Sequence, residues 1–477
     1  MAFRRNFAFR LAAELLSKVL AMGVTLVLAR QLGPEAWGGM QWALAGAGLF
    51  GVLADFGLGS LVTRELAVAK EKEKRGWLLA AWQLKGLLWL LALGLFAAFQ
   101  AVSNGDKATL LLPAALLTVA LSLGEFNSAL YAGYERLDLD LLWGFLAKLG
   151  QALLVVFALY AGWGARGVLY SMAAAAWLGW VLNFWRLWSL GQATSSKALG
   201  LAPKRRVLLQ GLWPFGLVSV LTLIYVKADN LLLEHLSGLP AVGIYQSAYK
   251  WFEAVAFVPT AFIAAAFPSM ARSEKEADGA AKRLKAFRAM GALGATAAAG
   301  LFALAALLPR LLGPAYDAAP DLLRALSGGC LLLFPNYILF TLLVASRRQS
   351  LILVGVLLAV IFNLGGNLWL MPRYGALGAS WMTVGTEGVI FLSALVSLRA
   401  SLAWQYALGA FAQSALAAGL ACAVAWALLG LGTLPALIVA LFVAPLLAFA
   451  LSLWWGLMPM DEIRRLARRA LQGKTPA

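Results

Sequence analysis

Apolar runs alternate with short polar breaks from one end of the 477-residue chain to the other. A run of ~20 apolar residues is the length that crosses the hydrocarbon core of a bilayer as a helix. The pattern predicts fourteen such spans, at about 10–31, 38–63, 77–101, 109–132, 141–162, 167–188, 207–232, 242–268, 287–312, 321–345, 351–371, 378–398, 407–430 and 435–457. Breaks of one parity are short, the longest lying around Gly313-Pro314-Ala315-Tyr316-Asp317. Breaks of the other parity include three charged connectors, 64–76, 189–206 and 269–286, and the chain ends in a basic tail. No polar stretch is long enough to build a soluble domain. The first ten residues resemble the basic start of a signal peptide, but no small-residue cleavage site follows, so a retained first span is expected. The expected fold class is an all-α integral membrane protein of about 14 transmembrane helices.

Two short motifs recur. Trp37-Gly38-Gly39-Met40-Gln41-Trp42-Ala43, entering span two, matches Val242-Gly243-Ile244-Tyr245-Gln246-Ser247-Ala248, entering span eight. Trp163-Gly164-Ala165-Arg166-Gly167 matches Tyr374-Gly375-Ala376-Leu377-Gly378, before spans six and twelve. The offsets, 205 and 211 residues, relate one six-span unit to the next. Because six is even, both units enter from the same side, which makes the repeat a parallel one. The expected organisation is an N-lobe over 1–188, a cytoplasmic inter-lobe linker over 189–206, a C-lobe over 207–398, two additional spans over 399–457 and a basic cytoplasmic tail over 458–477.

Composition agrees: 62% of residues are hydrophobic and 13% charged. A net charge of +17 would suit nucleic acid, but its distribution argues otherwise. Of 39 Lys and Arg, six lie well inside predicted spans (Lys18, Lys85, Lys148, Lys227, Lys250, Arg324) and five in or at the edge of loops of one parity (Arg30, Lys107, Arg166, Arg310, Arg373). The other 28 fall at the termini, in loops of the opposite parity and at the span ends beside them. That asymmetry is the positive-inside rule, which puts both termini in the cytoplasm and makes membrane lipid, not nucleic acid, the partner. Arg464, Arg465, Arg468 and Arg469 fall on one amphipathic stretch, 463–471, suited to an anionic inner leaflet or to plain solvation.

The chemistry worth weighing is charge at bilayer depth, which is costly and therefore faces a bundle interior or a wet cavity. The first lobe carries Glu14, Lys18, Asp55, Lys85, Glu125 and Lys148; the second carries Lys227, Asp229, Lys250, Glu253, Arg324 and Glu387. Glu14 and Lys18 are four apart, and Lys250 and Glu253 three apart, so each pair shares a helix face and can neutralise itself. Lys227 and Asp229, two apart, cannot, and each needs another partner. Asp55 stands in a glycine-interrupted stretch, Ala54-Asp55-Phe56-Gly57-Leu58-Gly59, where close packing or local unwinding is allowed.

Other chemistry is thin. No phosphate-binding loop of the Walker type occurs. His235, the single histidine, assembles no nucleophilic set, and Cys330 and Cys422 suggest neither a metal nor a disulfide but two small core side chains. Most of the 19 tryptophans, Trp163, Trp180, Trp188, Trp454 and Trp455 among them, are expected at membrane interfaces. Trp42, Tyr245, Tyr249 and Trp251 are candidate sugar contacts.

Leu28-Ala29-Arg30-Gln31-Leu32-Gly33-Pro34-Glu35-Ala36-Trp37-Gly38, Asp55-Phe56-Gly57-Leu58-Gly59 and Arg64-Glu65 together resemble the amino-terminal signature of the polysaccharide biosynthesis membrane proteins. Lys227-Ala228-Asp229-Asn230, Val242 to Lys250, Phe267-Pro268, Gly313-Pro314-Ala315-Tyr316 and Tyr374 to Ala379 extend the likeness over the second half. These are repeat-unit flippases of O-antigen and exopolysaccharide, in the multidrug/oligosaccharidyl-lipid/polysaccharide exporter superfamily. The resemblance implies a two-lobed carrier with a V-shaped central cavity lined by spans one, two, seven and eight. It implies transport of undecaprenyl-diphosphate-linked oligosaccharide across the bacterial cytoplasmic membrane, without a cofactor, driven by a proton or sodium gradient and alongside polysaccharide polymerase machinery. Lys18, Lys227 and Lys250 are then the candidate partners of the diphosphate headgroup, since ammonium groups in a wet cavity pair with phosphate. Glu14, Asp55, Asp229 and Glu253 are the candidates for coupling or gating.

Two alternatives stand beside this. A peptidoglycan-precursor (lipid II) flippase is similar in fold, with an arginine-rich cavity expected where this chain offers lysines. A membrane glycosyltransferase or polymerase would need a larger extramembrane loop carrying catalytic groups, so a transporter rather than an enzyme is expected.

Overall fold

The computed structural model describes residues 2–458 apart from 104, 135–136, 193–200, 274–277, 347, 400–401 and 403. Part of the 189–206 linker and the whole 463–471 stretch therefore lie outside the described residues. Among the described residues the secondary structure is helical, with no strand. The helices are α1 (Ala2–Asp55), α2 (Leu58–Val68), α3 (Glu71–Val102), α4 (Leu111–Gly133), α5 (Leu137–Tyr160), α6 (Gly164–Gln192) and α7 (Leu201–Val255). They continue as α8 (Phe257–Ser273), α9 (Gly279–Leu304), α10 (Leu308–Leu312), α11 (Ala319–Ala345), α12 (Gln349–Ser397), α13 (Trp404–Leu429) and α14 (Leu434–Trp454).

Ten stretches are long and apolar enough to cross a membrane, and Gly144–Tyr160 is a shorter apolar helix. The chain is a multi-pass membrane protein. Three of the ten, Leu16–Val68, Gly216–Ile263 and Ser350–Ser397, each contain a glycine with non-helical backbone: Gly33, Gly238 and Gly375. Gly33 (φ 76°, ψ 170°) and Gly238 (φ 83°, ψ 172°) adopt the same conformation, one essentially closed to residues with a Cβ. They are 205 residues apart, the offset of the first sequence repeat. Gly164 (φ 61°) and Gly375 (φ 55°) stand at the second offset, 211. Gly105 and Gly313, also at positive φ, pair at 208. The backbone thus repeats its turns where the sequence repeats its motifs.

Charged connectors are shorter than their composition suggests. The 64–76 segment is helical except at Ala69 and Lys70, because Glu71 to Arg75 extend α3. Spans two and eight are interrupted rather than continuous, at Phe56–Gly57 and at Ala256.

The chain forms two compact units, Met1–Gln246 and Ser247–Ala477; the division falls inside α7. In the first, Leu58, Leu61, Val62 and Leu66 of α2 pack with Leu78, Ala81 and Leu84 of α3, Phe126 and Leu130 of α4 and Leu208 and Leu212 of α7. In the second, Ala299 and Ala303 of α9, Ala421 and Ala425 of α13 and Ala440, Ala444 and Ala448 of α14 form a seam of small residues. With lipid as apolar as leucine, helices associate by close van der Waals approach, which alanine permits. Outward faces carry the large residues instead, as at Leu87, Leu90 and Leu91 of α3 and Phe442 and Leu446 of α14. Trp454 is 84% exposed, whereas Trp180 stacks on Phe184 and lies edge-on to Trp177 inside the first unit.

Candidate functional site

The first unit brings its two kinked hairpins into contact. A side chain at Gly38 would collide with Leu239 O, and one at Gly243 with Pro34 O. Glycine is required at both positions because backbone meets backbone. Beside the crossing, Lys107 forms an ion pair with Glu234, and its Nζ lies 5.1 Å from the centroid of the Trp42 ring.

Along the Gly238 hairpin the two arms are tied by hydrogen bonds at a common spacing. Tyr245 Oη donates to Asp229 Oδ2 at 3.1 Å, and Gln246 Nε2 donates to Asn230 Oδ1 at 2.6 Å. Asp229 is buried, 3% exposed, and this is the partner that its spacing from Lys227 denied it on its own helix face. Tyr245 and Trp42 are buried as well, and Tyr249 lies 5.9 Å from Phe252, tilted. Trp251 is half-buried, with an indole N–H that has no hydrogen-bond partner among the described residues.

A second cluster sits where α1 ends. Lys85 of α3 is fully buried; its Nζ donates to Asp55 Oδ1 at 2.7 Å and to Ser122 Oγ of α4 at 3.1 Å, and lies 5.1 Å from the Phe126 ring centroid. Glu125, one turn beyond Ser122, interacts electrostatically with both Lys85 and Asp55. Phe56, at φ 42°, and Gly57, at φ 78°, break the helix directly after Asp55 and leave its carboxylate partly open. The sequence marked Asp55 as a site and Lys85 only as a deep charge; nothing in a 30-residue separation signals that they pair.

In the second unit, Lys250 Nζ donates to Glu253 Oε2 at 2.8 Å, the pair that their spacing predicts. Sequence reasoning left Glu387 without a role. It is 5% exposed and accepts from Asn336 Nδ2 at 2.8 Å. Asn363, Asn367 and Thr386 form a buried polar chain beside it on α12. Lys18 is exposed and Lys227 half-buried, while the side chain of Glu14 lies outside the described residues. His235 is exposed, and both cysteines are free.

The family model for the polysaccharide biosynthesis proteins matches residues 3–274. The chain belongs to this family. No curated protein matches this chain in sequence. Solved structures share its fold. The lipid II flippase MurJ, in an inward closed conformation, is similar with a TM-score of 0.73 at 12% identity, over 93% of this chain and 98% of that one. An inward-facing multidrug resistance MATE family transporter of the MOP superfamily is similar with a TM-score of 0.60 at 14% identity, over 83% and 95%. A MOP superfamily transporter from Pyrococcus furiosus is similar with a TM-score of 0.55 at 15% identity, over 85% and 94%. The fold is shared with these neighbours, which are transporters rather than enzymes.

Proposed function

We propose that this protein is a flippase that moves undecaprenyl-diphosphate-linked oligosaccharide repeat units from the inner to the outer leaflet of the bacterial cytoplasmic membrane. Transport is by ion-coupled alternating access, in the assembly of O-antigen, exopolysaccharide or capsule, upstream of a polymerase. The observation that carries this reading is the family match over residues 3–274, on a fold held in common with a lipid flippase. Fourteen crossings follow if each of the three kinked apolar helices counts twice and Gly144–Tyr160 counts once more. The excess of basic residues in one set of loops then keeps both termini cytoplasmic.

A diphosphate does not enter hydrocarbon unaided, so the pathway must offer cations. Lys18, Lys227 and Lys250 are the candidates, and lysine's flexible point charge suits transient pairing better than arginine's bidentate fork. Asp55 and Asp229, each already engaged by a donor on another helical arm, are candidates for contacts that break and remake as the carrier turns.

A second reading, transport of lipid II, is favoured by the TM-score of 0.73 to MurJ. Complementation separates the two. Expression in a strain lacking its repeat-unit flippase should restore surface glycan, and expression in a strain depleted of its lipid II flippase should not restore growth. The reverse outcome would replace the first reading with the second.

A further inference from the structure

Every buried charge of the first unit's deep cluster has a partner of opposite sign, with Lys85 between Asp55 and Glu125. The second unit differs. Glu387 lies in the α12 arm beyond Gly375, 5% exposed, and among the described residues no basic side chain pairs with it. Its polar contact is Asn336, whose Nδ2 donates to both Glu387 Oε2 at 2.8 Å and Glu387 O at 3.0 Å. Asn336 is itself 3% exposed, and its Oδ1 is left without a hydrogen-bond partner. It follows Pro335, which cannot donate to the α11 ladder. A carboxylate at this depth with neither a counter-ion nor a full set of donors is costly, and such residues mark ion pathways.

The neighbourhood also supplies a route. Tyr337, next to Asn336, lies beside Thr260 of α8 and within electrostatic reach of both Glu387 and Glu253. Glu253 and Thr260 are exposed. A phenol thus lies within the influence of both an accessible and a buried carboxylate in one unit. The ligand this set takes is a proton. Asn336 turns its N–H rather than its oxygen toward the carboxylate, an arrangement that suits a proton on the carboxyl better than a sodium ion between oxygens.

We propose that Glu387 is a proton-binding site, held by Asn336 and loaded through Tyr337 from the side of Glu253. Binding joins a proton to a carboxylate oxygen and removes the buried charge. Besides Asn336, the groups facing Glu387 are Cys330 and Tyr337, both on α11. Helices α9 and α13 meet this half of α12 through Phe287, Phe391 and Phe411, and among the described residues no charged group acts on Glu387. The inference deepens the carrier reading, because it names the group that would bind the driving ion, and it rests on that reading only for the use made of the proton.

The test reads protonation itself. Infrared spectra of the purified full-length protein in detergent are recorded in choline salts across a pH series. A protonated-carboxyl C=O band should titrate in the wild type and be absent from Glu387→Gln. Asn336→Leu, which keeps the carboxyl and removes its amide donor, should retain the band at a shifted frequency and so carries the assignment if Glu387→Gln does not fold. Identical carboxyl bands in the wild type and Glu387→Gln, or a band unmoved in Asn336→Leu, would overturn the proposal. Neither result depends on which substrate is transported.

Discussion

Gly38 and Gly243 occupy equivalent positions in the two sequence repeats, and each leaves no room for a side chain because of the other's hairpin. The obstacle to Gly38 is Leu239 O; the obstacle to Gly243 is Pro34 O, the residue equivalent to Leu239. The contact is reciprocal, as a crossing of two related hairpins must be, and it has no slack. A methyl group at either position should cost the crossing about 1–3 kcal/mol through overpacking, a ~5–150-fold shift in population. We expect Gly38→Ala to speed maleimide labelling of a cysteine at Leu239 in a background lacking Cys330 and Cys422. Labelling at the wild-type rate would mean that the crossing yields without opening.

The deep cluster predicts an asymmetry. Lys85 is fully buried, whereas the Asp55 side chain is 37% exposed. Removing the carboxylate strands an ammonium enclosed by protein; removing the ammonium leaves a carboxylate that is only partly enclosed. Breaking a fully buried pair costs about 3–5 kcal/mol. Asp55→Asn should approach the low end of that range, because Ser122 and Glu125 remain for Lys85, and Lys85→Met should cost less. The double variant should recover most of the loss. Thermal unfolding of the purified proteins in detergent checks the order; a costlier Lys85→Met would contradict it.

Tyr245→Phe removes one hydroxyl from the Gly238 hairpin and takes a hydrogen bond from the buried Asp229. A bond to a charged group contributes about 1.5–3 kcal/mol. Stability should fall by that amount, and Asp229→Asn in the same chain should return part of it. Asp229→Asn alone should stay folded while weakening gradient-driven transport into vesicles. Unaltered dependence on the gradient would remove Asp229 from any coupling role.

These relationships differ in how far the sequence disclosed them. The apolar runs and both motif repeats are one-dimensional signals, legible because span length and motif spacing are properties of the chain order itself. Lys250 and Glu253 were legible as a pair for the same reason, since three residues along a helix fixes a common face. Asp55 with Lys85 and Asn336 with Glu387 are joined across 30 and 51 residues, on helices whose rotation no local pattern specifies. Tyr245 is a candidate sugar contact by residue type alone; its burial against Asp229 depends on how the hairpin folds back.

Topology is checked by reporter fusions. Ser103 ends α3 and Gly432 turns between α13 and α14, and both fall in the loops poor in basic residues. Fusions at these positions should report the outside, and one at Ser195 the cytoplasm. A cytoplasmic signal at Ser103 would invert the assignment of every loop.

The pair Lys250–Glu253 separates a structural role from a functional one. Both side chains retain exposure, 25% and 47%, and an ion pair of that kind contributes at most about 1 kcal/mol. Its lysine is therefore available to a stronger anion without a large loss of stability. A lipid diphosphate is such an anion, carrying several acceptor oxygens where Glu253 offers one carboxylate. If Lys250 serves only to neutralise Glu253, then Lys250→Ala harms transport by leaving the acid alone, and Lys250→Ala/Glu253→Ala restores it. If Lys250 holds the headgroup, the double variant stays inactive at normal membrane abundance, and Glu253→Ala alone remains active because the lysine is left free. Complementation of a flippase-null strain, with membrane abundance measured beside it, distinguishes these outcomes. We expect the double variant to fail; full activity in it would end the assignment of Lys250 to the substrate.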